Sequence, residues 1–158
     1  MAVEVIEKYR PEVVINCAAL VGVKECESNH ALAWKTNVTG ALNVAKTCQQ
    51  RGIRHVFISS AAIFDGQKGR YKESDEPSPI FYYAIVRLDF FTQTALKYRQ
   101  VFVDHFTSKI PVAEAAADIL RIAASGFIGI INIACSSLPN FPKDISLDLT
   151  LWKEKFET

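Results

Sequence analysis

The chain has 158 residues, of which 49% are hydrophobic, and its formal net charge at pH 7 is +1. This length corresponds to one domain with enough apolar residues for a sizeable core. A nearly neutral chain gives no electrostatic reason to expect nucleic acid or an anionic membrane as a partner. No apolar run approaches the length of a membrane span, and the first residues lack the pattern of a signal peptide.

Cysteine and histidine spacing predicts no metal site. The 4 cysteines have no CxxC pair and the 3 histidines are isolated in the sequence. Two of the cysteines fall inside apolar runs, which is typical of free thiols in the core of a protein from a reducing compartment. We therefore expect a cytoplasmic protein.

The first elements alternate between helix and strand. Residues from Ala2 to Tyr9 are predicted to form a helix that Pro11 ends. Val13–Ile15 is an apolar run without alternation, typical of a parallel strand covered on both faces. Small residues follow Asn16, namely Cys17, Ala18 and Ala19. They would let a ligand or another backbone come close, or they would serve tight packing of strand against helix.

A long helix is predicted next. Ser28 can cap a helix that continues to about Gln50, with Gly52 as its C-terminal cap. Asn37 lies in this helix near the apolar stripe. It is either a buried amide that needs a partner or a surface residue. Glu25 and Glu27, before this helix, are predicted to be solvated loop residues.

The central stretch runs from His55 to Gly66. Val56–Ile58 is predicted to be a buried strand, and it ends in two hydroxyl residues, Ser59 and Ser60. Hydroxyls at the carboxyl end of a buried strand lie where open α/β sheets bind ligands, so Ser59–Ala62 and Asn16–Ala19 are predicted to lie side by side at that edge of the sheet. A strand that ends in a serine-rich loop without a ligand is the alternative.

The remaining elements complete an α/β pattern. Residues 67–79 are predicted to form a surface loop, and further strands are predicted at Ala84–Val86, Val101–Val103 and Ile128–Ile133. A weak terminal helix surrounds Trp152. Strands that alternate with helices predict one α/β domain over residues 1–158, with a mainly parallel sheet and helices on both faces.

Four segments, in order along the chain, carry a family resemblance: RPEVVINCAALVGVKECE, NVTGALNVAKTC, HVFISSAAIFDG and YKESDEPSPIFYY. They resemble the extended short-chain dehydrogenase/reductases, and within them the dTDP-4-dehydrorhamnose reductase group. The resemblance implies a Rossmann-like fold and NADP(H)- or NAD(H)-dependent reduction of a nucleotide-linked 4-keto-6-deoxysugar. It also allows a homodimer.

Two departures from the family pattern make the fold incomplete relative to the family. No GxxGxxG is present, so the loop that cradles the cofactor pyrophosphate is absent from these residues. The family reads Tyr-x-x-x-Lys, whereas Tyr83 is followed by Ala-Ile-Val-Arg. Read literally, Arg87 takes the lysine position. We favour the other interpretation, in which AIVRLDFF resembles the strand after the catalytic helix and that helix is missing.

The resemblance also implies roles for single residues. Ser60 would be the hydroxyl that bonds the substrate carbonyl and Tyr83 the general acid, with Tyr82 as its neighbouring alternative. Such donors are needed because a hydride that reaches a ketone carbon leaves negative charge on the oxygen. The residues implied to lie beside the cofactor are Asn16, Ala18, Ala19, Asn37 and Ser59.

A function of a different class fits the same resemblance. The regulatory subunit of methionine adenosyltransferase resembles this group too, so the chain could be a non-catalytic subunit that binds a dinucleotide. Ala61 and Ala62 stand where reductases of the group usually carry Asp-Tyr. This departure weakens the implied sugar substrate.

Overall fold

The computed structural model describes residues 2–83, 85, 112–133, 148 and 150–156, and the backbone of residues 101–105. The described strands form one sheet with the order β1-β2-β3-β4, and every neighbouring pair is parallel. The strands are β1 (Val13–Asn16), β2 (Arg54–Ile58), β3 (Val101–His105) and β4 (Gly129–Ile133).

Helices alternate with these strands along the chain. They are α1 (Ala2–Tyr9), α2 (Val23–Ser28), α3 (His30–Trp34), a π-helical turn (Lys35–Gly40), α4 (Ala41–Gln50), a 3-10 turn (Ala61–Ile63), α5 (Val112–Ala124) and α6 (Thr150–Phe156). The parallel sheet with intervening helices confirms the predicted α/β, Rossmann-like class. The extent of one domain over residues 1–158 stays a prediction.

Both faces of the sheet are covered, because successive side chains of a strand point to opposite faces. Val56 belongs to a buried cluster with Ile122 of α5 and Trp152 of α6. Its neighbour Phe57 packs instead with Ala45 of α4. Burial on both faces explains why the β2 sequence is apolar without alternation.

The amino end of β2 is fixed by a guanidinium. Arg54 Nη2 donates hydrogen bonds to the carbonyls of Ile122 at 3.0 Å and Phe127 at 2.6 Å. The Ile122 carbonyl, in the last turn of α5, also accepts the amide of Ser125 at 3.1 Å and its hydroxyl at 2.8 Å, so Arg54 is one of several donors that close this end of the helix. Partial burial lowers the pKa of Arg54. Nearby, Gly52 has φ +67° after the end of α4, which confirms the predicted glycine cap.

The strand predicted at Ala84–Val86 is wrong at its centre. Ile85 is helical, its amide donates to the carbonyl of Phe81 at 3.0 Å, and its side chain is 43% exposed. The other two residues of the run lie outside the described part. A run of three apolar residues does not distinguish a buried strand from a helical turn. On the side away from β1, β2 pairs with β3, which contains the short strand predicted at Val101–Val103.

The predicted long helix is interrupted, and Ser28 does not cap it. Ser28 ends α2, and its hydroxyl donates to the carbonyl of Glu25 at 3.1 Å. Asn29 is the cap, because its Oδ1 accepts the amide of Leu32 at 3.0 Å at the start of α3. Serine and asparagine cap helices about equally well, so residue type alone does not distinguish Ser28 from Asn29.

Within the described ranges, no helix is long and apolar enough to cross a membrane. The same residues hold no group of three or more His, Cys, Asp or Glu that could bind a metal ion. Cys26 and Cys48 are buried free thiols. Burial raises the pKa of Cys48 to about 11, so this thiol stays protonated near neutral pH.

Candidate active site

Two loops leave the carboxyl edge of the sheet side by side. β1 and β2 are parallel neighbours, with Asn16 opposite Phe57. The loop after β1 therefore starts beside the loop that contains Ser59 and Ser60. This confirms the predicted juxtaposition, and it lies at the edge where open parallel sheets bind ligands.

The first loop opens with a tight turn of small residues. Asn16 is buried, and its Oδ1 accepts the amide of Ala18 at 3.1 Å. Asparagine side chains commonly form such turns by bonding the backbone two residues on. Ala18 is exposed and Ala19 is half-buried. Their small side chains leave the backbone of the turn accessible.

Asn37 holds the same loop from behind. Its side chain is fully buried, which rules out the surface position. Its Oδ1 accepts the amide of Leu20 at 2.7 Å, and its Nδ2 donates to the carbonyl of Leu20 at 3.0 Å. Asn37 lies in the π-helical turn, a distortion that is frequent at functional sites. Through Leu20 this amide fixes the course of the loop.

The second loop begins with two buried hydroxyls that differ in their hydrogen bonding. Ser60 Oγ accepts the amide of Ala62 at 3.2 Å and caps the 3-10 turn. Ser59 Oγ is buried and has no hydrogen-bond partner in the described part of the chain. An unpaired buried hydroxyl costs about 1–3 kcal/mol. Such a group suits a position where a ligand supplies the partner.

Asp65 shapes the rest of this loop, as the Asp-Gly turn predicts. Its Oδ1 accepts the amide of Gln67 at 3.0 Å and the hydroxyl of Tyr71 at 2.7 Å. These two bonds hold the pKa of Asp65 below its ordinary value, and the bond from Gln67 has the larger effect. The Tyr71 ring stacks on Phe64, with 4.2 Å between the ring centroids.

Tyr71 also ties this loop to the far side of the sheet. The fully buried Asn132 of β4 donates its Nδ2 to the carbonyl of Tyr71 at 3.0 Å. The amide of Asp148 donates to the same carbonyl at 2.7 Å. Sequence reasoning missed this anchor, because its partners are far apart in the chain and no local motif marks them.

The two candidate acids differ in their surroundings. The backbone amide of Tyr82 donates to Glu27 Oε1 at 2.7 Å. The Tyr82 ring stacks on His30, with centroids 3.7 Å apart and planes 14° apart. Tyr83 follows on the same helical turn and is half-buried. The expectation that Glu27 is only a solvated loop residue is therefore wrong.

Ser60 and Tyr83 do not bond one another within the described residues. Their predicted meeting at one carbonyl oxygen stays a prediction. A backbone hydrogen bond links the Ser60 loop to the segment that leads to Tyr83. The carbonyl of Ile63, three residues after Ser60, accepts the amide of Ser78 at 2.9 Å.

A family model described as RmlD substrate binding domain matches residues 1–93. The chain belongs to this family. The predicted resemblance to the dTDP-4-dehydrorhamnose reductase group is thereby confirmed. The match to the RmlD family contains all the predicted site residues: Asn16, Ala18, Ala19, Asn37, Ser59, Ser60 and Tyr83.

Curated relatives fall into two functional classes. The chain is 39% identical over 82 residues to a dTDP-4-dehydrorhamnose reductase from Mycobacterium tuberculosis, a match that covers 49% of the chain and 27% of that protein. It is 34% identical over 84 residues to the methionine adenosyltransferase 2 subunit beta from Xenopus laevis, which covers 53% of the chain and 25% of the subunit. The chain thus spans well under half the length of either relative.

Solved structures show the same fold. A hypothetical dTDP-4-dehydrorhamnose reductase from Sulfolobus tokodaii superposes with a TM-score of 0.83 at 24% identity, over 99% of this chain and 78% of that one. The dTDP-4-dehydrorhamnose reductase from Bacillus anthracis in complex with NADP superposes with a TM-score of 0.73 at 23% identity, over 86% and 60%. At these identities the likeness concerns the fold.

Proposed function

We propose that the protein is an NAD(P)H-dependent oxidoreductase that reduces a nucleotide-linked 4-keto-6-deoxysugar, of the dTDP-4-dehydrorhamnose reductase type. The observation that carries the proposal is the pairing of the Asn16 turn with the buried Ser59 and Ser60 at one edge of the sheet. The 39% identity to the mycobacterial reductase supports the same reaction.

The residues at this edge fit part of a dinucleotide, since the glycine-rich loop that would cradle its pyrophosphate is absent from these residues. Ala18 and Ala19 add little bulk to the turn held by Asn16, so a ligand can reach the backbone there. Ser59 Oγ is a buried hydroxyl able to bond a polar atom of the ligand. Asn37 acts indirectly, because it holds the loop through Leu20. When bound, NADP(H) or NAD(H) supplies the hydride.

The protein's own residues would handle the charge on the carbonyl oxygen. Tyr83 donates the proton, and the Ser60 hydroxyl donates a hydrogen bond to the same oxygen. The Ser60 oxygen accepts the Ala62 amide, so its O–H proton can point elsewhere. Tyr82 is the weaker candidate for the acid, because its ring is stacked on His30.

The cation of the family motif has a candidate in Arg87, four residues after Tyr83. Because Ile85 is helical, the literal reading Tyr-x-x-x-Arg is favoured over the loss of the catalytic helix. Arg87 itself lies outside the described residues. The nucleotide sugar is the proposed partner, while a homodimer and a cytoplasmic location stay predictions.

Consumption of reduced nicotinamide tests the proposal. Purified full-length protein should oxidise NADPH or NADH when a dTDP-linked 4-keto-6-deoxysugar is added. The matched control is dTDP-glucose, which has no ketone and should give no oxidation. Absence of turnover with both cofactors would contradict the proposal.

One result would favour the second class. Protein that binds NADPH without turnover and associates with a methionine adenosyltransferase catalytic subunit would be a regulatory subunit. The 34% identity to subunit beta and the Ala61–Ala62 departure make this the alternative outcome.

A further inference from the structure

We propose that Glu27, together with His30, is a positioning residue that sets the place of the helical turn carrying Tyr83. The catalytic part of this role rests on the reductase function proposed above. Glu27 lies in α2, far along the sequence from Tyr83, and no motif links the two.

The two carboxylate oxygens of Glu27 face different neighbours. Oε1 accepts the backbone amide of Tyr82 at 2.7 Å. Oε2 lies 3.9 Å from Nε2 of His30, the first residue of α3. One side chain thus joins the junction between α2 and α3 to the turn that begins at Tyr82.

The hydrogen bond falls at the start of a helical turn. The amide of Ile85 donates to the carbonyl of Phe81, whereas the amide of Tyr82 comes too early for a bond of this kind. A carboxylate that accepts such an amide fixes the start of the turn, and its charge complements the positive end of the helix. Tyr83 is the next residue, so its backbone is placed by this contact.

His30 adds a second constraint through its ring. The stacked rings of His30 and Tyr82 have centroids 3.7 Å apart and lie nearly parallel. The stack limits rotation of the turn about its own axis, and such rotation would swing the neighbouring Tyr83 side chain. Because a proton donor misplaced by about 1 Å can cost about 100-fold in rate, this control matters to turnover.

The two contacts of Glu27 have unequal weight. The side chains of His30 and Glu27 are 57% and 45% exposed, and exposed ion pairs contribute about 0–1 kcal/mol. The bond to the Tyr82 amide, by contrast, satisfies a backbone donor at the start of a helical turn. Most of the effect should therefore come from the acceptor oxygen, and a neutral acceptor should replace it.

Three variants of the full-length protein separate these contributions. Glu27→Ala removes the acceptor, and Glu27→Gln keeps an acceptor while removing the charge. Glu25→Ala is the matched control, because Glu25 lies on the same helix and its carboxylate makes no hydrogen bond in the described part. Each variant is assayed for kcat, for NADPH affinity and for hydrogen exchange of the peptide over residues 80–85.

Glu27→Ala should speed exchange in this peptide and lower kcat by about 10- to 100-fold, with the NADPH Kd within about 2-fold of wild type. Glu27→Gln should restore kcat to within about 3-fold, and Glu25→Ala should match wild type in all three measurements. A loss of NADPH affinity equal to the loss of kcat would indicate general unfolding and overturn the inference.

The exchange measurement separates this inference from the proposed function. Unchanged exchange in Glu27→Ala would overturn the positioning role, whatever the activity. Faster exchange with unchanged kcat would overturn it as well. If wild-type protein gives no turnover, the reductase proposal fails and the catalytic role fails with it, while faster exchange would still establish that Glu27 holds the turn.

Discussion

The two edges of the sheet differ in what their polar side chains hold together. At the amino edge, Arg54 Nη2 donates to two carbonyls, although its buried Nε has no partner among the described residues, and the exposed Glu7–Arg51 ion pair joins α1 to the residue after α4. At the carboxyl edge, Ser59 Oγ has no partner among the described residues and Ala18 is exposed.

The difference separates stability from function. Partners at the amino edge close helix ends and bind neighbouring elements together. At the carboxyl edge the support comes from behind the site, since Asn37 fixes the first loop and Asn132 anchors the second. The two loops bring the backbone of the Asn16 turn and the Ser59 and Ser60 hydroxyls to this edge, and a few such polar groups are what orients a bound ligand.

The largest expected effect is at the carboxyl edge. Tyr83→Phe removes the proposed acid while keeping the ring, so turnover should fall by about two to four orders of magnitude with little change in cofactor affinity. Steady-state kinetics and NADPH titration measure both. Tyr82→Phe is the control, because the stack on His30 survives and turnover should stay within about 3-fold. The reverse ranking would assign the acid to Tyr82.

The amino edge should respond in stability alone. Arg54→Met keeps the aliphatic part of the side chain but removes the bonds to Ile122 and Phe127. Hydrogen bonds from a charged donor contribute about 1.5–3 kcal/mol, so the free energy of unfolding should fall by about 2 kcal/mol. Urea denaturation measures this change. A loss of kcat in the folded variant would break the proposed separation of the two edges.

Ser59→Ala should give the opposite signature. The buried hydroxyl lacks a partner, so its removal should raise the free energy of unfolding by up to about 1–3 kcal/mol. If a dinucleotide supplies the partner, its Kd should rise by about 2- to 10-fold. Calorimetric titration with NADPH measures this increase. Clear destabilisation with unchanged affinity would mean that the hydroxyl is structural.

The smallest expected effect concerns acid. Hydrogen bonds hold the pKa of Asp65 and of Asp75 below the ordinary value of 3.8, from the Gln67 amide and from the Lys68 ammonium respectively as the largest causes. A depressed pKa in the folded state contributes stability that is present above 3.8 and is lost as the pH falls through the folded value. Tm should therefore fall as the pH drops from about 5 to about 3. The decline should be shallower in Asp65→Asn, and an identical decline would exclude Asp65 as a contributor.

Short stretches whose residue pattern is compatible with a single secondary structure were predictable from the sequence. Val13–Ile15 and Val56–Ile58 are strands as expected, since each is apolar, β-branched and bounded by turn or helix signals. The juxtaposition of Asn16 with the serine loop followed from the parallel order of those strands. For Asn37 the sequence left two positions open, and the contact with Leu20 decided between them.

The predictions that failed concern structure that depends on contacts between residues far apart in the sequence. The apolar run around Ile85 has only three residues, too few to distinguish a strand from a helical turn. The acceptor at the start of that turn is Glu27, and no local sequence pattern connects Glu27 to it. The anchor between Asn132 and Tyr71 is of the same kind. Such contacts arise only when the sheet brings separate loops to one edge.

The proposed function rests on hydride transfer from the cofactor to a ketone. A deuterium label on the cofactor tests this transfer directly. Full-length protein would be incubated with a dTDP-linked 4-keto-6-deoxysugar and NADPH deuterated at C4 of the nicotinamide. The sugar product should gain one deuterium at C4 when the label is on one face of the nicotinamide, and none when the label is on the other face. A chain that binds the labelled cofactor and yields no deuterated sugar from either face would contradict it.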